Sequence, residues 1–355
     1  MHRIALALAR RAPPDRARSG VTGPRTHVFD EAFDPVWDES LLSSAPASGA
    51  GPAYWRLARE ILRRDAGYDA VVTWGERLSL ALLVRQQLAR AGKPHIAMMG
   101  QFEKLNIRLP VKLLQTNLHA VVTWTSVQRH ALIERLRFPA ERVYLVRHFV
   151  DQVFYSPRPA EETMICGVGA EMRDYPTLLE AVRGTGIRCQ IATDHVRIPG
   201  RVRLVKDRRV PVSSLGSWAD AGITLGRLPL LELRELYARS RFVVVPLVPS
   251  NSDNGVTVIL EAMAMGKPVI CSRTRGQVDV VQDGVTGLYV PVGDAGALRA
   301  AILSLWNDPQ RAHEMGRNAR AYVERHHTLE GFTSATRSAV EASLGGRPAP
   351  DTWWS

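Results

Sequence analysis

The chain has 355 residues, enough for two separately cored domains, since single cores stop growing near about 250 to 300 residues. A hydrophobic share of 45% and a charged share of 23% are ordinary for a folded globular protein and exclude a disordered or fibrous chain. The formal charge of +11 lies mostly in the N-terminal half; it would suit anionic lipid, nucleic acid or an acidic substrate alike, and an arginine-rich composition also explains it.

The opening MHRIALALARR has six apolar core residues ended by two arginines, too few for a secretion signal or a bilayer span, and reads as the first strand. No other segment reaches a transmembrane length, so any membrane contact is expected to be peripheral. Ala12 to Pro52, rich in Pro, Gly, Ser and Arg, reads as loop with one possible strand at Thr26 to Phe29. A regular alternation follows: a helix from Ala53 to about Arg64, strand YDAVVTW, a helix from Glu76 to Ala91 and strand KPHIAMM. It continues with a helix around Leu109 to Gln115, strand HAVVTW, a helix from Ser126 to Leu136 and strand RVYLVRHF. Short apolar runs between amphipathic helices call for a parallel sheet covered on both faces.

Two prolines in VDQVFYSPRPAEE break the pattern and place a linker at about Val150 to Glu161. A second series then runs through ETMICGVG, a helix from Tyr175 to Val182, IRCQIAT, a shorter strand at RVRLV, GITLGRL and a helix from Leu231 to Arg239. After Asp294 the chain is mostly helical, with a last helix from Leu329 to Leu344 and the tail DTWWS. The expected class is α/β with domains at 1–150 and 151–328 and a terminal segment at 329–355. Cys166, Cys189 and Cys271 lack C-x-x-C spacing and read as reduced, buried thiols of a cytoplasmic protein.

Arg241 to Pro291 carries the chemistry: a buried strand, a polar loop, a short helix, a second strand, a turn and a third strand. Asp253 and Glu261 stand eight positions apart across the loop-to-helix junction, with Gly255 between them and no basic residue nearby. A helix that opens at Gly offers free N–H groups to a phosphate. The flanking acids can accept hydrogen bonds from sugar and ribose hydroxyls. The pattern suits a nucleotide sugar.

DNGVTVILEAMAMGKPVI and GVTGLYVPVGD resemble the acid, seven residues, Glu signature and the following turn of retaining glycosyltransferases of family 4, which have the GT-B fold. The likeness covers roughly Arg142 to Thr328 well and Tyr68 to Arg142 loosely. The resemblance implies two Rossmann-like domains with a cleft between them, and a last helix that crosses back to the first domain. It implies that Asp253 contacts the transferred sugar, that backbone amides of Asn254, Gly255, Val256 and Thr257 meet the diphosphate, and that Glu261 binds ribose. Asp253 stands where the family usually has Glu.

Gly169 ends strand ICGVG in a Gly-rich turn without full GxGxxG spacing. The family carries two cations there; Arg173 matches the second, Ala170 replaces the first, and a solvated surface charge is the other reading of Arg173. By the same likeness Gly226, Arg227 and Leu228 would hold the base, or simply form a turn. Gln101 lies nearest to where the family has a donor-contacting His; it can hydrogen-bond a sugar hydroxyl but cannot act as acid or base. His95, inside a strand, reads as packed or surface. The candidate catalytic residues are therefore Asp253, Arg173 and Gln101. No D-x-D triplet or ligand spacing near His148, His326 or His327 suggests a metal, and no G-x-S-x-G elbow occurs.

The resemblance implies transfer of a hexose-type sugar from a nucleoside-diphosphate sugar to a hydroxyl acceptor (glycan, lipid or small natural product) with retention, without metal or other cofactor. A same-fold epimerase or phosphorylase and a non-catalytic nucleotide-sugar binder are the alternatives. Nucleic-acid binding has no motif behind it. The expected location is cytoplasmic, and the basic N-terminal half leaves peripheral contact with the inner membrane face open.

Overall fold

The computed structural model describes residues 2–8, 23–25, 51–90, 92–102, 104–193, 195–197, 209–211, 223–226 and 228–349. The expected strand at Thr26 to Phe29, the strand RVRLV and the tail DTWWS lie outside these residues. The described residues fall into two compact units, one from within Met1–Arg18, Arg25–His148 and Leu329–Ser355, the other from within Ser19–Pro24 and Phe149–Thr328.

The first unit is built on five parallel strands in the order β1 (Ile4–Leu8), β2 (Ala70–Trp74), β3 (His95–Met98), β4 (Ala120–Thr123) and β5 (Val143–Leu145). Helices Gly51–Arg63 (α1) and Glu76–Ala89 (α2) bury Leu57, Ile61, Leu78 and Leu82 against Ala5, Ala7 and Val71. Helix Leu105–Leu114 (α3) places Ile107 and Val111 with Ala97 and Val121. It begins four residues earlier than the expected Leu109, and Pro110 lies inside it. The expected helix at Ser126 to Leu136 is α-helical at Ser126–His130 (α4) and widens to π geometry at Ala131–Arg135. Helix Leu329–Leu344 belongs to this unit: the Ser343 carbonyl meets His119 Nε2 at 2.9 Å, and Tyr144 donates to the Arg347 carbonyl at 2.5 Å.

The second unit has six parallel strands in the order β10-β7-β6-β11-β12-β13, where β6 is Met164–Val168, β7 Cys189–Ala192, β10 Ile223–Gly226, β11 Ser240–Val245, β12 Val269–Ser272 and β13 Gly287–Val290. A separate antiparallel pair joins β8 (His195–Arg197) to β9 (Arg209–Pro211). Side chains alternate along the strands. Val243 and Val245 enter one core with Cys166 and Cys271, while Phe242 and Val244 enter the other with Ile165 and Ile270. All three cysteines are free and buried. Helix α5 (Tyr175–Val182) covers the second face; α6 (Leu230–Arg239) and α7 (Val256–Ala264) cover the first. Helices α8 (Ala295–Trp306) and α9 (Pro309–His326) complete the unit, and Leu329–Leu344 is α10.

The segment expected as a linker is instead part of this unit's core. Phe154 and Tyr155 are buried, and Val150 pairs with Thr328 through its N–H on the His327 carbonyl at 2.9 Å. Its prolines come after the packed part, at Pro157 and Pro159. Beyond them Glu162 meets Lys267 Nζ at 2.6 Å, and the same ammonium donates to the Ala238 carbonyl at 2.9 Å. With the Lys267 side chain 7% exposed, its removal leaves a carboxylate only 17% exposed with His313 as its remaining partner. Lys267→Met is therefore expected to lower the stability of this unit by about 3 kcal/mol in chemical denaturation.

Candidate active site

In the second sheet the strand order grows one way from β6 to β7 and the other way from β11 to β12, so β6 and β11 flank a topological switch point. The loops leaving their carboxyl ends diverge there and open a crevice in which α/β sheets bind ligands. Those loops are the Gly169 turn, which leads to α5, and the Pro246 to Gly255 loop, which leads to α7.

The first turn has left-handed backbone at Gly169 (φ 92°) and at Met172 (φ 55°), a conformation that a bulky residue adopts at a cost. It is held by the neighbouring loop: Asp174 N–H donates to the Pro246 carbonyl, Val248 N–H to the Met172 carbonyl, both at 3.0 Å, and Arg173 bridges Leu247. The turn drives Arg173 inward, to 4% exposure. Its Nε donates to the Val168 carbonyl at 2.9 Å and its Nη1 to the Glu171 carbonyl at 2.8 Å. No acid among the described residues forms an ion pair with it. A Cβ at Gly169 would lie 2.9 Å from Nη2, and one at Gly255 would lie 3.4 Å from Nη1. The guanidinium thus sits between two left-handed glycines. A buried cation without a paired anion is costly, and an anion arriving in the crevice would complete it.

Gly255 adopts φ 90° at the start of α7, and a Cβ there would also come within 2.9 Å of Val245 Cγ1, so only glycine fits. No side chain caps the helix. The Val256 N–H is taken by the Asp253 carbonyl at 3.2 Å, and Thr257 in the first turn is exposed. The loop before it is braced from β12's exit. Gln277, 1% exposed, donates Nε2 to the Asp253 and Asn254 carbonyls at 3.3 and 3.2 Å. Gly276 passes so close that a Cβ would meet the Ser252 carbonyl oxygen at 2.2 Å. The Asn254 side chain turns back through Nδ2 onto Ser250 Oγ at 2.6 Å.

Glu261 lies one and a half turns into α7. Its Oε2 accepts from the Tyr237 hydroxyl at 2.7 Å. Burial pushes its carboxyl up to about 7, against the opposing pull of the Tyr237 hydroxyl and the positive charge of Arg173. The Tyr155 hydroxyl, packed edge to face on Tyr237 with ring centroids 6.2 Å apart, senses the same carboxylate. It is buried and outside hydrogen-bonding geometry. Arg320 fixes this arrangement by donating Nη1 to the Gln152, Tyr155 and Ala264 carbonyls at 3.0, 3.0 and 2.7 Å, which ties the Tyr155 segment to the end of α7. Tyr155, Tyr237, Gln277 and Arg320 were not singled out from the sequence as site residues. For the tyrosines the available signal was a phenol on a buried face, which must find a polar partner.

Gly226 ends β10 on the same carboxyl edge, where its carbonyl accepts from Thr193 N–H at 2.9 Å. Leu228 packs partly buried on the core, and Arg227 lies outside the described residues. In the first unit Gln101 is exposed beyond β3. Its loop is held by Glu76, whose Oε1 accepts from the Gly100 and Gln101 N–H groups at 3.2 and 3.1 Å, while the Gln101 side chain accepts from Lys104 at 2.6 Å.

His95 is packed rather than exposed: Nε2 lies 2.8 Å from Thr73 Oγ1 and Nδ1 3.1 Å from Gln86 Oε1. Burial lowers its imidazole to about 3. An unfolded imidazole binds its proton near pH 6.5 and the folded one only near 3, so stability is full above 6.5 and falls as pH drops toward 3. This group's share is expected to reach about 1.4 kcal/mol per pH unit, seen as a steeper loss of Tm between pH 6 and pH 4 in the native chain than in His95→Gln.

Residues 219–322 match the family of glycosyl transferases group 1. The D-inositol 3-phosphate glycosyltransferase of Acidothermus cellulolyticus is 37% identical over 125 residues, 34% of this chain and 27% of that one. The D-rhamnosyltransferase WbpZ of Pseudomonas aeruginosa is 41% identical over 235 residues, 62% of this chain and 59% of that one. The chain thus spans less than two thirds of the length of these curated relatives. Among solved structures, Anabaena HepE in complex with UDP and glucose superposes with a TM-score of 0.69 at 16% identity, covering 96% of this chain and all of that one. A glycosyltransferase from Rickettsia africae gives 0.69 at 15% identity, covering 97% and 99%. With two parallel α/β units and these neighbours the fold is GT-B, and the matching stretches are similar to group 1 glycosyl transferases.

Proposed function

We propose that the chain is a retaining, family 4 glycosyltransferase that moves a hexose-type sugar from a nucleoside-diphosphate sugar to a hydroxyl of a glycan, lipid or small natural product. The observation that carries the reading is Arg173, buried without an ion-pair partner among the described residues, between Gly169 and the uncapped start of α7. A diphosphate placed there gains a forked cation and helix N–H groups together. Glu261, held by Tyr237, would accept the ribose hydroxyls; Asp253 would meet a hydroxyl of the transferred sugar; and Gly226, Arg227 and Leu228 would border the base. The HepE structure that shares the fold holds UDP and glucose, which agrees with such a donor.

Retention through a covalent intermediate requires a carboxylate nucleophile on the far face of the sugar. A front-face route needs none: the bond from the anomeric carbon to the phosphate oxygen breaks, the acceptor oxygen bonds to the same face, and its proton passes to the departing phosphate. Arg173 and the start of α7 would stabilise the negative charge that develops on that phosphate. The reaction is read as metal-independent and cytoplasmic.

A thermal-shift screen against UDP, GDP and dTDP and their sugars tests the reading. One base series should raise Tm, and its sugar should be passed to an acceptor with the anomeric configuration kept, as read by NMR of the product. Absence of any nucleotide response would remove the proposal. Conversion of the nucleotide sugar without acceptor would replace it with an epimerase.

A further inference from the structure

Helix α3 turns its leucines the wrong way for a soluble surface. Ile107 and Val111 enter the core, while Leu105, Leu109 and Leu113, four residues apart, are 64%, 50% and 69% exposed. At 100° per residue these three form a single stripe opposite the buried one. Lys104, Arg108 and Lys112 each precede a leucine of the stripe, so the cations run as a second exposed row along its flank. Leu105 to Leu114 contains no acid, and Arg108 and Lys112 form no ion pair among the described residues. The nearest acid in sequence, Glu103, lies outside the described residues.

We propose that this face of α3 docks the first unit on an anionic phospholipid surface, with the leucine stripe entering the headgroup boundary and the flanking cations meeting lipid phosphates. A row of apolar side chains edged by basic ones is what binding in the plane of an anionic interface requires. The charge row selects the occupant. A second copy of the helix would bring like charges together, and ten residues offer far less than the roughly 800 Å² per partner of a stable protein interface. Nucleic acid would satisfy the cations and leave the leucines in water. No helix among the described residues is long and apolar enough to cross a membrane, so the contact is peripheral. The loop that leads into α3 carries Gln101, so docking would bring the carboxyl edge of the first sheet toward the bilayer. This inference stands on exposure and charge, and does not depend on the transferase reading.

Co-sedimentation of the full chain with vesicles of phosphatidylcholine, alone or with about one third phosphatidylglycerol, provides the test. The native chain is expected to bind the mixed vesicles at least about tenfold better than the neutral ones, and less at high salt. Leu109→Ser with Leu113→Ser should weaken binding about tenfold or more while leaving Tm unchanged, because both side chains are exposed. Arg108→Gln and Lys112→Gln should each weaken it roughly fivefold and flatten the salt dependence. Failure of the native chain to bind, or equal binding by the leucine variant, overturns the proposal. So does a lipid-free dimer that the leucine variant converts to monomer, or displacement from vesicles by RNA in the leucine variant and native chain alike.

Discussion

An Arg173→Ala chain is expected to lose at least about a hundredfold in affinity for its nucleoside diphosphate, with a comparable or larger loss of turnover. The size follows from the geometry. The guanidinium is 4% exposed, is oriented by two backbone carbonyls, and has its outer nitrogens against Gly169 and Gly255. It is therefore preorganised and desolvated, with no ion-paired acid among the described residues that would have to be displaced. Arg173→Lys should recover only a small part, because an ammonium cannot reach both carbonyls and a phosphate with the same fork. Calorimetry with the responding nucleotide, alongside its nucleoside, measures the effect. The affinity lost should equal most of the advantage that the diphosphate confers over the nucleoside. Native affinity in the Ala variant would move the phosphate seat elsewhere.

The second large effect has opposite signs for stability and function. An unfolded glutamate titrates near pH 4.5, whereas Glu261 in the fold titrates at about 7 because burial disfavours its charge. Between those values the folded state holds the extra proton. Stability from this group is thus fully present below 4.5 and is lost as pH rises through 7. Glu261→Gln, which keeps an oxygen for the Tyr237 hydroxyl and carries no charge, should be more stable than the native chain at pH 8 by about 3 kcal/mol, and nearly equal to it at pH 4.5. The same substitution should weaken donor binding by tenfold or more, since an amide is a poorer acceptor for ribose hydroxyls than a carboxylate. Melting curves at the two pH values check the first statement and nucleotide titration the second. Such a pairing of stability gain with loss of binding marks a residue retained for function.

The parts of this arrangement that were legible in the sequence are those with local causes. The alternation of RFVVVP and PVICS with amphipathic runs marks a parallel sheet, and Gly255 before an apolar helix marks that helix's uncapped start, because both depend on neighbours within a few residues. The bounds of Tyr175–Val182, read from the alternating pattern, and of Leu329–Leu344, the candidate for the last helix that the family resemblance implies, agree with the structure. Features set by distant contacts were not legible. A surface charge was the other reading of Arg173, because its burial is imposed by pairing with Leu247, more than seventy positions away. The segment from Val150 to Glu161 looked like a linker on account of its prolines; Arg320 and Arg234, from two later helices, hold its Gln152 to Tyr155 part in the core and so place the Tyr155 hydroxyl near Glu261. The expected start of α3 at Leu109 left out its first turn and with it the start of the exposed leucine stripe. Gln277 carried no motif, yet its side chain sets the shape of the Asp253 loop through two carbonyls.

The most direct test of the central claim is a structure determined with the responding nucleoside diphosphate bound. The account predicts the pyrophosphate within hydrogen-bonding distance of the Arg173 guanidinium and the backbone N–H groups at the start of α7, with the ribose hydroxyls on Glu261. A diphosphate bound away from the Gly169 and Gly255 loops, with Arg173 still paired only to the Val168 and Glu171 carbonyls, would contradict it.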